Sequence, residues 1–470
     1  MSTAPTPRVS PTEGDRPPGL LRRLGVLDGT LLTVGAIVGT GIFLTSGGIA
    51  KEVASPALAL LVWVAAGLLS LCGALTYGEL GAMFPRAGGL YHYLREAWGP
   101  VWGYLYGWTC LLVIMSGGIA AIASGFGEYF GTFVPALGAD RVLWSLPLGF
   151  AAWTVRGPQV SAALAILFLT AVNHFGLREG AGIQNLLTAL KVAAIAALLA
   201  FGFATTNGTL PAPAAPLAVP ASLAAAFLTA MVAALWTYDG WYAVTASAGE
   251  MRRPSRDLPV AITLGVGFTI ALYVLLNWVY LRALPIDTLA VTTRVAEAAA
   301  DRLFGANGAR WVSAAVVLSA FGCLAATILY SSRIYHPIAE DGLFPAAVAR
   351  IHPRWHTPVT ALWIQSAWSI VLALTGSYNQ LFTYTTFGSV LFHVLAGLAV
   401  FRLRATRPGA ERPYRAWGYP VVPALFVLGT TLLVINTLQA APRESLLGLG
   451  AIAVGLPGYF LGKRRRPAAP

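Results

Sequence analysis

The sequence predicts an all-α protein that crosses a membrane many times, on three observations. Of its 470 residues, 57% are hydrophobic and only 11% charged, against about 25% charged in a soluble domain that must cover its surface. The charges gather in short stretches between apolar runs of about 20 residues, enough at 1.5 Å per residue to cross a hydrocarbon layer of about 30 Å. Most of those runs lack the polar stripe that a helix of a soluble core turns to water.

Residues 1–24, rich in Pro, Ser, Thr and Gly with no early apolar run, read as a disordered tail and not a cleaved leader. Twelve spans follow, near 29–50, 56–83, 100–130, 159–176, 182–203, 222–250, 258–283, 309–335, 358–376, 379–402, 419–440 and 444–462. Residues 464–470 form a second tail. An even number of spans puts both termini on one side. With that side cytoplasmic, 22 of the 31 Lys and Arg fall in cytoplasmic stretches and 8 in outer ones, so the positive-inside rule sets the orientation. The net charge of +12 is then a topology signal, not a nucleic-acid surface. The Arg402-Arg404-Arg407 and Lys463–Arg466 clusters read as anchors to the inner leaflet. Cys72, Cys110 and Cys323 all lie in apolar segments, which implies neither a disulfide framework nor a zinc site.

Two spans are interrupted. The first carries Gly35, Gly39, Thr40 and Gly41 inside its apolar run, and the sixth carries Thr237, Tyr238, Asp239 and Gly240. Each opens a block of five spans, residues 25–203 and 222–404, and an odd-numbered repeat must insert upside down relative to its copy. The last two spans, in 405–463, stand outside that repeat. Paired interruptions at matching places in two halves point to the midplane site of a transporter. Breaking a spanning helix frees N–H and C=O groups that cost several kcal/mol each in lipid, so a break survives only where protein, water or ligand serves them. The half-helix after Gly41 turns free N–H groups and a positive dipole end toward the gap, which suits a carboxylate. The half-helix ending near Ile37 offers carbonyls, which suit an ammonium. An α-amino acid carries both. The other reading of Gly39 and Gly41, as small contacts for helix packing, stays open on that span alone.

The motifs resemble those of the amino acid–polyamine–organocation superfamily. The resemblance rests on Gly35–Phe43, on Ala74–Leu80 with Pro85–Tyr91, and on Gly249-Glu250 with Pro254–Arg256 and Pro259. It continues through Arg333 with Ala339–Pro345, His352-Pro353, Thr357-Pro358 and Arg412–Arg415 before Gly418–Pro420. The last of these, with Trp236–Trp241, most resemble the L-type amino acid transporter branch in its bacterial form. The resemblance implies a LeuT-type fold, a 5+5 inverted repeat with twelve helices of which the first and sixth are discontinuous. Spans 1, 2, 6 and 7 would rock against a scaffold of 3, 4, 8 and 9. It implies that the substrate carboxylate takes N–H groups around Thr40, Gly41 and Ile42, and the ammonium takes carbonyls at Ile37 and near Trp236 and Asp239, with Gly39 and Gly240 also among the substrate-binding residues. Trp236 falls where the family places an aromatic gate; ordinary packing is the alternative. The loop at 131–158 has no cysteine, so no disulfide-linked heavy chain is expected.

Charges within the spans sharpen these expectations. Lys191 lies inside the fifth span, far in sequence from any other charge. By the resemblance it stands where sodium-coupled relatives bind their ion, bridging to Gly35–Ile37 and to Ser319, as a fixed cation or a proton carrier; snorkelling to the interface is the alternative. Asp239 reads as an N-cap for a half-helix beginning at Gly240, or as an acidic contact for a cationic side chain. Glu79 and Glu250 lie beside Arg86 and Arg252–Arg256, suggesting gating or packing ion pairs. His174, His336, His352, His356 and His393 show no metal-ligand spacing, and no Walker motif or nucleophile elbow appears. No enzyme, metal or cofactor is expected. The reading is a sodium-independent amino acid transporter of a prokaryotic plasma membrane, exchanging or proton-coupled, with neutral substrates ahead of cationic ones or polyamines. A receptor that binds without transporting is the rival from another class.

Overall fold

The structure, a computed structural model, describes residues 24–86, 88–147, 152–175, 180–205, 210–213, 220–355 and 357–464. Nearly all of the two tails, Arg178, His356 and the side chain of Glu250 lie outside the described residues.

The first apolar run folds as two helices, α1 (Val26–Ile37) and α2 (Gly41–Val53), bent by 51° at the residues between them. Helix α3 (Pro56–Met83) begins where Ser55 Oγ accepts from the Leu58 N–H and Pro56 supplies a preset first turn. A short helix, α4 (Leu90–Trp98), follows a glycine pair. The third run is α5 (Pro100–Thr109), a π turn at Cys110–Ile114, and α6 (Met115–Phe130). The loop beyond it folds into a hairpin of β1 (Val142–Pro147) and β2 (Ala152–Arg156), with Trp144 and Trp153 edge to face at 4.9 Å.

Then come α7 (Gly157–His174), α8 (Gly180–Thr205) and α9 (Leu223–Tyr238). The expected half-helix from Gly240 is absent: the chain turns at Gly240, φ +95°, and resumes as a 3-10 helix over Ala243–Glu250. After it run α10 (Pro254–Ala283) and α11 (Ile286–Val291). Helix α12 (Val295–Ser332) bends at Gly305, so the predicted span at 309–335 carries an added helical arm on its N-terminal side. Two short helices, α13 (Tyr335–Glu340) and α14 (Ala346–Ala349), lead to α15 (Val359–Thr375), α16 (Tyr378–Thr406), α17 (Val421–Ala440) and α18 (Pro442–Arg464).

Among the described residues, seven helices are long and apolar enough to cross a membrane, or eight if α1 and α2 make one span. The apolar helices Ala189–Thr205, Leu223–Tyr238 and Val359–Thr375 are shorter. Helix α10 packs on α1 and α3, α3 packs on α9, and α6 packs on α7, α12 and α15. Two kinds of residue tell the lipid-facing surface from the core. Leu164, Phe168, Trp311, Leu428 and Val454 lie exposed, while Trp63, Tyr77, Tyr273 and Tyr280 are wholly buried. An exposed apolar belt of that extent suits hydrocarbon, not water.

Candidate substrate site at the helix break

The last turn of α1 should leave its final carbonyls without intrahelical donors, and the first turn of α2 its first amides without acceptors. The structure assigns most of them. Val38 N–H donates to Val34 O at 2.8 Å, and Gly39 N–H doubles back to Ile37 O at 2.8 Å. Tyr273 Oη, reaching from α10, donates to Ile37 O at 3.0 Å and lies 3.2 Å from Thr237 O, so one phenol spans both interrupted segments. Lys191 Nζ donates to Val38 O at 3.0 Å and to Gly35 O at 3.4 Å. What remains is specific. Among the described residues no group donates to Ala36 O, and the N–H groups of Gly41 and Ile42 have no acceptor.

Ala36 and Gly41 border one chamber. Its walls include Ala36, Gly39, Thr40, Gly41, Trp236 and Asp239, and its volume is about 50 Å³, room for a few waters at about 10–15 Å³ each. Ile37 and Gly240 also line it. Ile42 does not; its side chain is fully buried. The expected ammonium contact at Ile37 is a carbonyl already engaged twice, and the acceptor left free is its neighbour Ala36, which sequence reading missed because any residue can offer a carbonyl. Helix α12 adds Cys323, Thr327 and Tyr330, and α6 adds Gly118 and Ile122.

Close approach of the two interruptions depends on glycine. A Cβ at Gly41 would lie 2.7 Å from Thr237 Oγ1 and 3.0 Å from Thr237 Cα; one at Gly240 would lie 2.8 Å from Ala36 O. Thr237 and Thr45 hydroxyls share a hydrogen bond at 2.9 Å across the seam. Thr40 is buried, and its hydroxyl faces Tyr378 without completing a hydrogen bond of ordinary geometry.

Trp236 stands at the edge of the chamber, with Nε1 donating to Tyr378 Oη at 3.1 Å and its ring stacked on Phe382 at 6.4 Å. Tyr378 and Phe382 in turn line a second, larger cavity of about 380 Å³, with Lys51, Glu52, Thr229 and Asn436 on its walls. The aromatic group therefore separates two spaces. Asp239 ends α9 as its C-cap, with no helix starting on it, and its carboxyl faces the hydroxyls of Tyr242 and Ser389.

Lys191 is buried, so snorkelling does not describe it. It shares the wall of a third, apolar cavity with Ser319, whose hydroxyl is buried without a hydrogen-bond partner among the described residues; no bond joins the two. Glu79 is buried but not with Arg86. Arg404 grips it in a two-pronged ion pair at 2.6 and 2.9 Å, Arg412 Nε lies 3.5 Å away, and Ala416 N–H donates to it at 2.7 Å. These partners lie 325 or more residues along the chain, beyond any local pattern.

A family model described as amino acid permease matches residues 24–447. The chain is 32% identical to the serine/threonine exchanger SteT of Bacillus subtilis, over 95% of this chain and 98% of that protein. It is 31% identical to the human b(0,+)-type amino acid transporter 1, over 94% and 88% of the two chains. To the mouse large neutral amino acids transporter small subunit 2 it is 28% identical, over 97% and 84%.

Proposed function

The chain belongs to the amino acid permease family of the amino acid–polyamine–organocation superfamily, and on that premise we propose that it is a secondary transporter of neutral L-amino acids. The observation that carries this reading is the α1–α2 break. It offers a free amide at Gly41 and a free carbonyl at Ala36 on one chamber, with the free amide of Ile42 next along the chain, the complement of a carboxylate and an ammonium on one carbon. The name of the serine/threonine exchanger favours a small neutral side chain.

The chamber must enlarge to admit an amino acid, and packing supplies the bodies that would move: α1, α3, α9 and α10 against α6, α7, α12 and α15. Alternating access in a LeuT-type arrangement of twelve spans in two inverted halves fits this grouping. In it Trp236, held by Tyr378 and Phe382, is the gate toward the larger cavity. Both termini are cytoplasmic, in a plasma membrane. Sodium is not needed, because the Lys191 ammonium already occupies the carbonyls of Gly35 and Val38 that a cation would use. No disulfide-linked heavy chain is required.

One observation favours a second reading. Asp239 lines the chamber, which suits a cationic amino acid. Counterflow in proteoliposomes against the twenty amino acids, with and without sodium, tests both readings. Trans-stimulated entry of L-serine without sodium is the expected result. Entry of lysine alone would support the second reading, and ligand binding with no entry would leave a receptor.

A further inference from the structure

Behind the substrate chamber lies a small pocket of about 20 Å³ whose polar wall is Ser70, Asp239, Thr386, Ser389, His393 and Thr430. It has room for about one water at 10–15 Å³. Asp239 is the wall it shares with the substrate chamber. Helices α3, α16 and α17 furnish its other polar side chains, and Leu235 of α9 and Trp241 close it.

His393 is buried, and both ring nitrogens are engaged: Nδ1 with Tyr77 Oη at 2.6 Å, and Nε2 with Ser389 Oγ at 3.2 Å. Ser389 in turn faces the Asp239 carboxyl. Rings pack this chain on its sides, with Trp241 at 5.4 Å, Tyr242 at 5.0 Å and Phe426 at 6.1 Å from the imidazole. Thr386 Oγ1 borders the same pocket, buried with no hydrogen-bond partner among the described residues. Such an arrangement is costly without a purpose, since apolar side chains would fill the space more cheaply. The neighbouring titratable groups are Tyr93 on α4, beside Tyr77, Tyr106 on α5, Tyr242 on the turn, Cys110 on the π turn and Tyr330 on α12. The groups that face the Asp239 carboxyl are the Gly240 amide and the Tyr242 and Ser389 hydroxyls.

We propose that Asp239, Ser389, His393 and Tyr77 form a proton-binding chain, so that a neutral amino acid is carried together with one proton. The proposal rests on the transport reading above. A neutral imidazole has one donor and one acceptor nitrogen. With Nδ1–H donating to Tyr77, Nε2 accepts from Ser389. Ser389 passes its hydroxyl proton to Nε2 as it takes one from the protonated Asp239 carboxyl. One O–H bond at Asp239 is broken, one N–H bond on the ring is formed, and the hydroxyl is restored. The proton comes from water on one side and returns to water on the other. Imidazolium and carboxylate then face each other across Ser389, the only pairing that makes a charge tolerable at that depth. A substrate with a cationic side chain brings its own charge to Asp239 and leaves no place for the proton.

The test uses the full chain in proteoliposomes that enclose the pH-sensitive dye pyranine, with labelled amino acid entry followed in parallel. Each protein is read as protons moved per substrate moved, which separates loss of coupling from loss of transport. For the wild type, L-serine entry acidifies the lumen and L-lysine entry does not. His393→Gln, which keeps hydrogen-bonding capacity but not basicity, loses the acidification. Tyr77→Phe, which removes a single hydroxyl and serves if His393→Gln does not fold, lowers the same ratio. Serine entry by the wild type without acidification overturns the proposal, as does an unchanged ratio in the variants. If no amino acid enters at all, the transport reading fails and this one with it.

Discussion

Gly41 has no room for a side chain, because α2 begins against Thr237 with backbone as well as hydroxyl in the way. A Gly41→Leu chain should therefore insert and fold yet hold the two interruptions apart. We expect amino acid binding to fall below detection by scintillation proximity while the detergent-solubilised monomer peak is kept; retained binding would remove the break from the site. Lys191 makes a different case. Its ammonium serves two freed carbonyls, each worth about 1–3 kcal/mol when left unsatisfied. Lys191→Ala should cut transport at least about tenfold, since 1.4 kcal/mol is that factor, and should cost some stability. Normal flux at normal expression would make the lysine a packing residue. At this scale the glycines, Trp236, Asp239 and Lys191 were legible because interruptions and intramembrane charges stand out against apolar sequence. Ala36 and His393 were not. A carbonyl has no sequence signature, and a histidine without spacing partners looks like any buried one.

Helices were legible in proportion to their apolar length. The run at 56–83 and α3 coincide, and the run at 100–130 is the α5–α6 span with its π turn. Helix α4 escaped notice because its buried face, Leu90, Tyr91, Tyr93, Leu94 and Ala97, is one side of a short amphipathic turn and not a long apolar run. The arm before Gly305, which buries Val295, Ala296, Ala299 and Ala300, escaped for the same reason; the hairpin at 142–156 escaped because its first strand, exposed throughout, has no buried face to read. Between elements the decisive contacts are long-range, and two yield predictions. Tyr273 joins the two interrupted segments through one hydroxyl, so Tyr273→Phe should slow exchange severalfold while melting changes by only about 1 kcal/mol. Unchanged exchange kinetics would show that the segments move independently of it. Glu79, 1% exposed, ties α3 to α16 and to the connection before α17. Glu79→Gln leaves Arg404 and Arg412 facing a neutral group, and removing one partner of a buried pair costs about 3–5 kcal/mol. The melting temperature in detergent should drop accordingly; an unshifted melt would mean that the pair is solvated.

For the whole molecule, composition alone shows a membrane protein, and the family match over residues 24–447 makes it an amino acid permease. What composition could not reach is which helices face one another, because facing is decided by pairs far apart in the chain. The packing of α1, α3, α9 and α10 as one set is the physical basis for supposing that they move together. It also explains why the unserved backbone groups lie where they do, at the seam between that set and α12. The central claim is that an amino acid sits at this seam. The most direct measurement is trans-stimulated L-serine counterflow by the purified protein in sodium-free proteoliposomes, side by side with Gly41→Leu. The wild type should accumulate labelled serine when preloaded with unlabelled serine, and the variant should not. Equal accumulation by both, or none by the wild type with any of the twenty amino acids, would contradict the account.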